Sequence, residues 1–242
     1  MNDKYADSDI QVSHTFFKKL DHFWFYYKWH TLAALFILFV LTVCFVQSCT
    51  KTDYDVNVVY AGPYEFTKNE TTETMVRDLN QVLPRDFNKD GEKAVGLISY
   101  QVLTKEQIEE KKKELEALKS EGVSVGMLDT GYFSSQANLF HSAMQSGEYA
   151  VLLLDPSLYE SLKSVDGRLR KLSEVFVTVP NSAFSEYGIR FSETALYRSS
   201  EALGNLPEDT VLCLASPLVF GLTSKTAEYS KMTEMLVAMA ED

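Results

Sequence analysis

Residues 140–172, FHSAMQSGEYAVLLLDPSLYESLKSVDGRLRKL, carry the pattern that decides the fold. Ala137, Phe140, His141 and Met144 share one side of a helix, and Gly147 supplies its stop. Residues 150–154, AVLLL, are an unbroken apolar run of the kind that suits a strand buried on both faces. Asp155 can then cap a short helix, SLYESLK, with Pro156 in its first helical position. Helix, buried strand and capped helix in this order are the grammar of an α/β domain.

Working outward, residues 54–61, YDVNVVYA, alternate and then run apolar, which predicts a strand ended by Gly62-Pro63. Met75, Leu79 and Val82 recur at helical spacing after Thr67 and Thr71, two candidate caps. Residues 94–103, AVGLISYQVL, are rich in β-branched and aromatic side chains and predict the next strand. Residues 105–121 are dense in Glu and Lys, with Ile108, Leu115 and Leu118 as the thin apolar stripe of an exposed helix. Strands separated by helices imply parallel pairing with right-handed crossovers. Residues 187–197 and 210–215 read as two further strands with no long helix between them, so a returning, antiparallel element is expected. Tyr229, Met232, Leu236 and Met239 place a closing amphipathic helix over 225–239. The expected result is a three-layer α/β domain with a mixed, mainly parallel sheet.

Upstream, residues 31–46 read TLAALFILFVLTVCFV and extend through Gln47, Ser48, Cys49 and Thr50 without a charge. Such a stretch spans about 30 Å of hydrocarbon. Phe23, Trp24, Phe25, Tyr26, Tyr27 and Trp29 precede it as an aromatic belt at headgroup level. Lys18, Lys19 and Lys28 before the span outweigh Lys51 and Lys68 after it, which favours a cytoplasmic N-terminus. The division expected is therefore 1–28, a cytoplasmic segment with a juxtamembrane amphipathic helix built on Phe16, Leu20 and Tyr27; 29–50, a transmembrane signal anchor; and 51–242, an extracytoplasmic domain. Cleavage as a secretory signal is disfavoured, since the leader would exceed the roughly 15 to 30 residues usual for one. Val46-Gln47-Ser48-Cys49 loosely resembles a lipoprotein box, so a lipid anchor at Cys49 stands as the alternative to an uncleaved helix.

Composition narrows function further. With 45% hydrophobic and 24% charged residues the chain is neither disordered nor collagen-like. Four lysines and four aspartates cancel before the span, so the whole excess of 11 negative charges belongs to residues 51–242. That domain repels phosphate backbones, and no nucleic-acid partner is expected. Cys44, Cys49 and Cys213 are too few and too apolar in setting for a disulfide framework, which suits an extracytoplasmic bacterial protein that avoids cysteine.

The opening stretch also resembles part of the extracellular solute-binding proteins of ABC importers. Ser146-Gly147, Leu152-Leu153-Leu154-Asp155, Leu158, Leu162, Gly167 and Leu172 carry the similarity. The resemblance implies one lobe of a type 2 periplasmic-binding protein, in which ligand is clamped between two lobes. The 192 residues after the span leave room for one lobe only.

In an open α/β sheet a ligand sits beyond the carboxyl ends of the parallel strands. Those ends are expected at Gly62-Pro63-Tyr64-Glu65, at Asp155-Pro156 and at Ser216-Pro217, which makes Tyr64, Glu65 and Asp155 the candidate ligand-binding residues. Asp155 could equally serve only as a helix cap, and Tyr64 and Glu65 only as loop residues. Asp86, Asn88, Asp90 and Gly91 match the first half of a calcium loop, but position twelve falls on Leu97 instead of a carboxylate, so a plain polar loop competes. No nucleophile elbow, P-loop or H-E-x-x-H motif occurs, and His141 is the one histidine beyond the span. A non-enzymatic binding or interaction protein without a cofactor is expected, with the bilayer and a small ligand or membrane protein as partners. A structural subunit of an envelope complex is the alternative, and an extracellular hydrolase a third reading.

Overall fold

The computed structural model describes residues 11–49, 53–66, 69–218, 221, 223 and 225–241, and within the first helix the side chains of residues 23–46. The chain divides into two units, Met1–Thr52 and Asp53–Asp242.

The described residues of the first unit form one helix, α1 (Gln11–Cys49). Its apolar window, Phe23–Val46, has 24 residues and none of it is buried. At 1.5 Å per residue that window is about 36 Å long, enough to cross a hydrocarbon core. The Thr42 hydroxyl donates back to the Leu38 carbonyl at 2.8 Å, so this polar group in the window is satisfied within the helix. The helical backbone is continuous from Gln11 into this window.

The second unit begins with β1 (Val56–Gly62), α2 (Glu70–Val82), β2 (Val95–Gln101), α3 (Lys105–Ser120) and α4 (Thr130–Ser146). It continues with β3 (Val151–Leu154), α5 (Pro156–Lys163), β4 (Gly188–Arg190), α6 (Ala195–Ser199), β5 (Val211–Leu214) and α7 (Thr226–Met239). The five strands form one sheet in the order β2-β1-β3-β5-β4. β1 pairs in parallel with β2 and β3, while β5 runs antiparallel to both β3 and β4. The domain is thus α/β with a mixed, mostly parallel sheet, as the pattern of strands and helices predicts.

Side chains alternate across the pleat, so each strand feeds two cores. Val58, Tyr60, Val151, Leu153, Leu212 and Leu214 face α2 and α7, packing with Met75, Leu79, Met235 and Leu236. Val59, Ala61, Leu152, Leu154, Val211 and Cys213 face the other way, against Phe140 and Met144 of α4 and Tyr159 of α5. Every residue of β3 and β5 is buried, which explains why their sequences are apolar without alternation. The first crossover steps from β1 to one side and the second returns past β1 to the other. Right-handed crossovers then place α2 and α4 on opposite faces, giving the third layer.

Three local details depart from the sequence pattern. Of residues 187–197 only Gly188–Arg190 are strand: a 3-10 turn over Phe191–Glu193 ends the extended run, and Thr194 then caps α6 through its hydroxyl. The cap of α2 is Asn69, whose side chain accepts from the Thr72 N–H at 2.9 Å; Thr71 lies inside the helix and Thr67 outside the described residues. The stripe of α3 is weak enough that none of its 16 residues is buried.

Candidate functional site at the carboxyl edge of the sheet

Strand order reverses at β1, whose neighbours β2 and β3 lie on opposite sides, so a crevice is expected beyond the carboxyl ends of β1 and β3. β1 ends at Gly62, where the absence of a side chain matters: a Cβ there would stand 2.6 Å from the Tyr60 hydroxyl. The Tyr60 ring therefore lies along the strand toward this edge, tilted against Phe66 at 4.8 Å. Its hydroxyl is buried without a hydrogen-bond partner among the described residues. Burial pushes the phenol pKa far above its ordinary 10.0, and the charges of Asp155 and Asp209 push the same way. The Tyr64 backbone partly offsets that shift without completing a hydrogen bond.

Asp155 follows β3 directly, and its N–H extends the ladder to the Ala61 carbonyl at 2.9 Å. Its Oδ1 accepts from the Ser157 N–H at 2.9 Å and from the Ser157 hydroxyl, which caps α5. Its Oδ2 accepts from Gln107 Nε2 at 3.1 Å. Gln107 in turn accepts the Thr104 N–H on its side-chain oxygen at 2.8 Å, closing the capping box of α3. The N-termini of α3 and α5 are thereby tied together through one carboxylate and one amide. Both oxygens of Asp155 are engaged, so this residue braces the edge.

Tyr64 is half exposed, and Glu65 is exposed with its Oε1 accepting from the Tyr132 hydroxyl of α4 at 2.9 Å. That bond, together with burial and the carboxylate charge, raises the Tyr132 pKa above its ordinary 10.0. Tyr64, Glu65 and Asp155 thus lie on the two loops that the strand ends position, but no hydrogen bond joins Glu65 to Asp155 among the described residues. A paired-carboxylate hydrolytic centre gains no support from this arrangement.

Ser216-Pro217 does not belong to this edge. β5 is antiparallel, so its carboxyl end lies at the amino edge of the parallel strands, while its start, with Leu154 opposite Val211, brings Asp209 and Thr210 to the carboxyl edge. Arg190, opposite Val211 on β4, arrives at the same place. Sequence reasoning missed Arg190, Asp209, Gln107 and Tyr132. Only the polar break before the apolar 210–215 run hinted at Asp209, and nothing local marked the others.

The calcium-like loop folds inward on its own amides. Asp86 accepts from the N–H groups of Lys89 and Gly91, Asp90 accepts from Glu92 N–H and Asn88 Nδ2, and Asn88 Nδ2 also donates to the Asp53 carbonyl. Among the described residues no group of three His, Cys, Asp or Glu side chains is placed to hold a metal. His141 is exposed on α4 beside the Phe140 ring, and Cys213 is fully buried in β5, where desolvation raises its thiol pKa and suppresses the thiolate. Comparison of the chain with models of known families, with curated proteins and with solved structures finds no match.

Proposed function

We propose that this chain is a single-pass membrane protein, N-terminus cytoplasmic, whose domain outside the cytoplasm works by binding, as a lone solute-binding-protein-like lobe without catalytic activity. The observation that carries the proposal is the reversal of strand order beside β1, which puts polar and aromatic groups from four elements at one open edge of the sheet. The apolar, unburied window of α1 supports anchoring, and the lysine bias before it supports the orientation. The acidic excess argues against nucleic acid.

A second reading, a structural or assembly subunit of an envelope complex, is favoured by one feature. α3 presents Ile108, Leu115 and Leu118 half-buried, with no buried residue, a stripe that a protein partner would cover. Affinity purification of the intact protein from its native membrane, with mass spectrometry of proteins and small molecules together, separates the two. Co-purifying small molecules support the binding lobe; a stoichiometric membrane complex without them supports the subunit. Protease protection of the domain in sealed vesicles tests orientation, and cleavage from the cytoplasmic side would refute it.

A further inference from the structure

The two outer strands of the sheet are finished differently. β4 is covered by its own chain: the Phe184 N–H donates to the Gly188 carbonyl at 3.2 Å and the Arg190 N–H to the Ser182 carbonyl at 2.8 Å. β2, on the other side, pairs with β1 alone. The Asp55 N–H reaches the Ala94 carbonyl and the Val102 N–H reaches the Gly62 carbonyl, so the even-numbered residues of this stretch turn their backbone toward β1. The odd-numbered residues turn theirs outward. Asn80 takes the Val95 N–H on its side-chain oxygen at 2.7 Å. Among the described residues nothing takes the N–H and C=O groups of Leu97, Ser99 and Gln101.

Natural sheets blunt such an edge with lysine, proline, a bulge or a covering segment. β2 has none of these: VGLISYQ is seven residues long, carries no charge and no proline, and keeps an unbroken register with β1. The whole stretch 94–104 is uncharged, in a domain with an excess of 11 negative charges. It is therefore a strip along which two copies of this acidic domain meet without opposing like charges. The pattern about Ser99 identifies that second copy as the occupant. Antiparallel pairing of two β2 strands about a twofold axis at Ser99 sets Leu97 against the partner's Gln101 and Ser99 against the partner's Ser99. Each is a hydrogen-bonded pair that exchanges both bonds, so every outward group of Leu97, Ser99 and Gln101 is satisfied at once. On the opposite face the same register sets Ile98 against the partner's Tyr100 in both directions, the aromatic and β-branched combination that antiparallel sheets favour. Both side chains are part-exposed beside the core that α4 covers. Centring on Ile98 instead would set Gln101 against the partner's Val95, whose N–H Asn80 already holds.

We propose that the chain forms a homodimer by edge-to-edge pairing of β2, which continues the sheet across the twofold axis. The dimer goes beyond the binding reading above and does not depend on it.

The test is sedimentation equilibrium of the full chain in detergent micelles, with charge variants at the part-exposed Ser99. The parent is a dimer. Ser99→Lys and Ser99→Asp each set like charges against each other on the axis and weaken association about fivefold, while an equal mixture of the two restores it. Restoration in the mixture requires folded chains and cannot arise from contacts of α1. Ala117→Lys on the exposed side of α3 changes nothing. In native membranes, Ser99→Cys in a Cys44→Ser, Cys49→Ser background closes to a disulfide-linked dimer on addition of a mild oxidant. The Cα atoms of a hydrogen-bonded antiparallel pair lie about 5.5 Å apart, within disulfide reach. A monomeric parent, no disulfide at residue 99, or association unchanged in both Ser99 charge variants overturns the proposal. So does a dimer lost in Ala117→Lys, which moves the contact to α3.

Discussion

Replacing Asp55 with alanine removes an acceptor shared by three backbone N–H groups. Asp55 is only 5% exposed, just ahead of β1, and its Oδ1 accepts from Phe87 at 2.7 Å and Asn88 at 2.9 Å while Oδ2 accepts from Ala94 at 3.1 Å. These bonds fasten the loop after α2 to the point where β1 and β2 enter register, next to the Asp55 N–H to Ala94 carbonyl bond at 2.8 Å. A bond to a charged acceptor contributes about 1.5–3 kcal/mol. Phe87 and Asn88 are part-exposed and regain water, so Asp55→Ala is expected to cost about 3–5 kcal/mol, less than the sum of three such bonds. That is a large share of the roughly 5–15 kcal/mol that holds a domain folded. Asp55→Asn keeps one oxygen for two donors but turns its amide toward the Ala94 N–H, donor against donor, and should cost about 1–3 kcal/mol. Urea unfolding measures both. Trp24 and Trp29 both lie in α1, so tyrosine near-ultraviolet circular dichroism or hydrogen exchange must report on the domain. Both variants unfolding within about 0.5 kcal/mol of the parent, the range of inert surface changes, would refute the reasoning.

Other outcomes follow from single positions. Gly147 ends α4 at φ 64° with Gly221, Leu218 and Thr223 atoms 3.2 Å from where a Cβ would stand, whereas Gly122 has φ 83° and open space. Gly147→Ala should therefore lower stability by more than the about 1–2 kcal/mol of left-handed strain that Gly122→Ala meets alone, and equal losses in urea titrations would contradict this. Burial pushes the Tyr229 phenol up to about 12 from its ordinary 10.0. The unfolded phenol ionises first as pH rises, so the stability this group contributes is intact below pH 10.0 and is lost as pH climbs to about 12. Alkaline absorbance titration of Tyr229→Phe should lack one of the late-ionising phenols that the parent shows, Tyr60 remaining among them. In α1, Leu35→Arg at the centre of the apolar window should disfavour membrane insertion by about 2.5–3.5 kcal/mol; an unchanged membrane fraction after alkaline extraction would count against a spanning helix.

Much of the architecture was legible in the chain because its signals are local. The run AVLLL needs apolar neighbours on both faces whatever they are, and Asp155-Pro156 opens a helix through dihedral angles and a cap that involve no distant residue. The candidate site was less legible. Tyr64 and Asp155 followed from where strands end, but their partners did not: Gln107 reaches Asp155 across 48 positions and Tyr132 reaches Glu65 across 67. Such pairs leave no periodic trace. The extended run expected at 187–197 failed for a related reason, since β-branched and aromatic propensity cannot see that the chain turns at Phe191–Glu193 and that Thr194 then caps α6.

The amino acids alone settle that residues 31–46 are apolar on every side, that the domain after them is α/β, and that residues 150–154 are buried on both faces. Each of these depends on composition or on a period of a few residues. Tertiary structure was needed to show that β5 runs antiparallel between β3 and β4, which sends Ser216-Pro217 to the far edge and brings Asp209 and Arg190 together. Strand direction is chosen by long-range pairing and burial of both faces at once, and the same apolar run satisfies either direction.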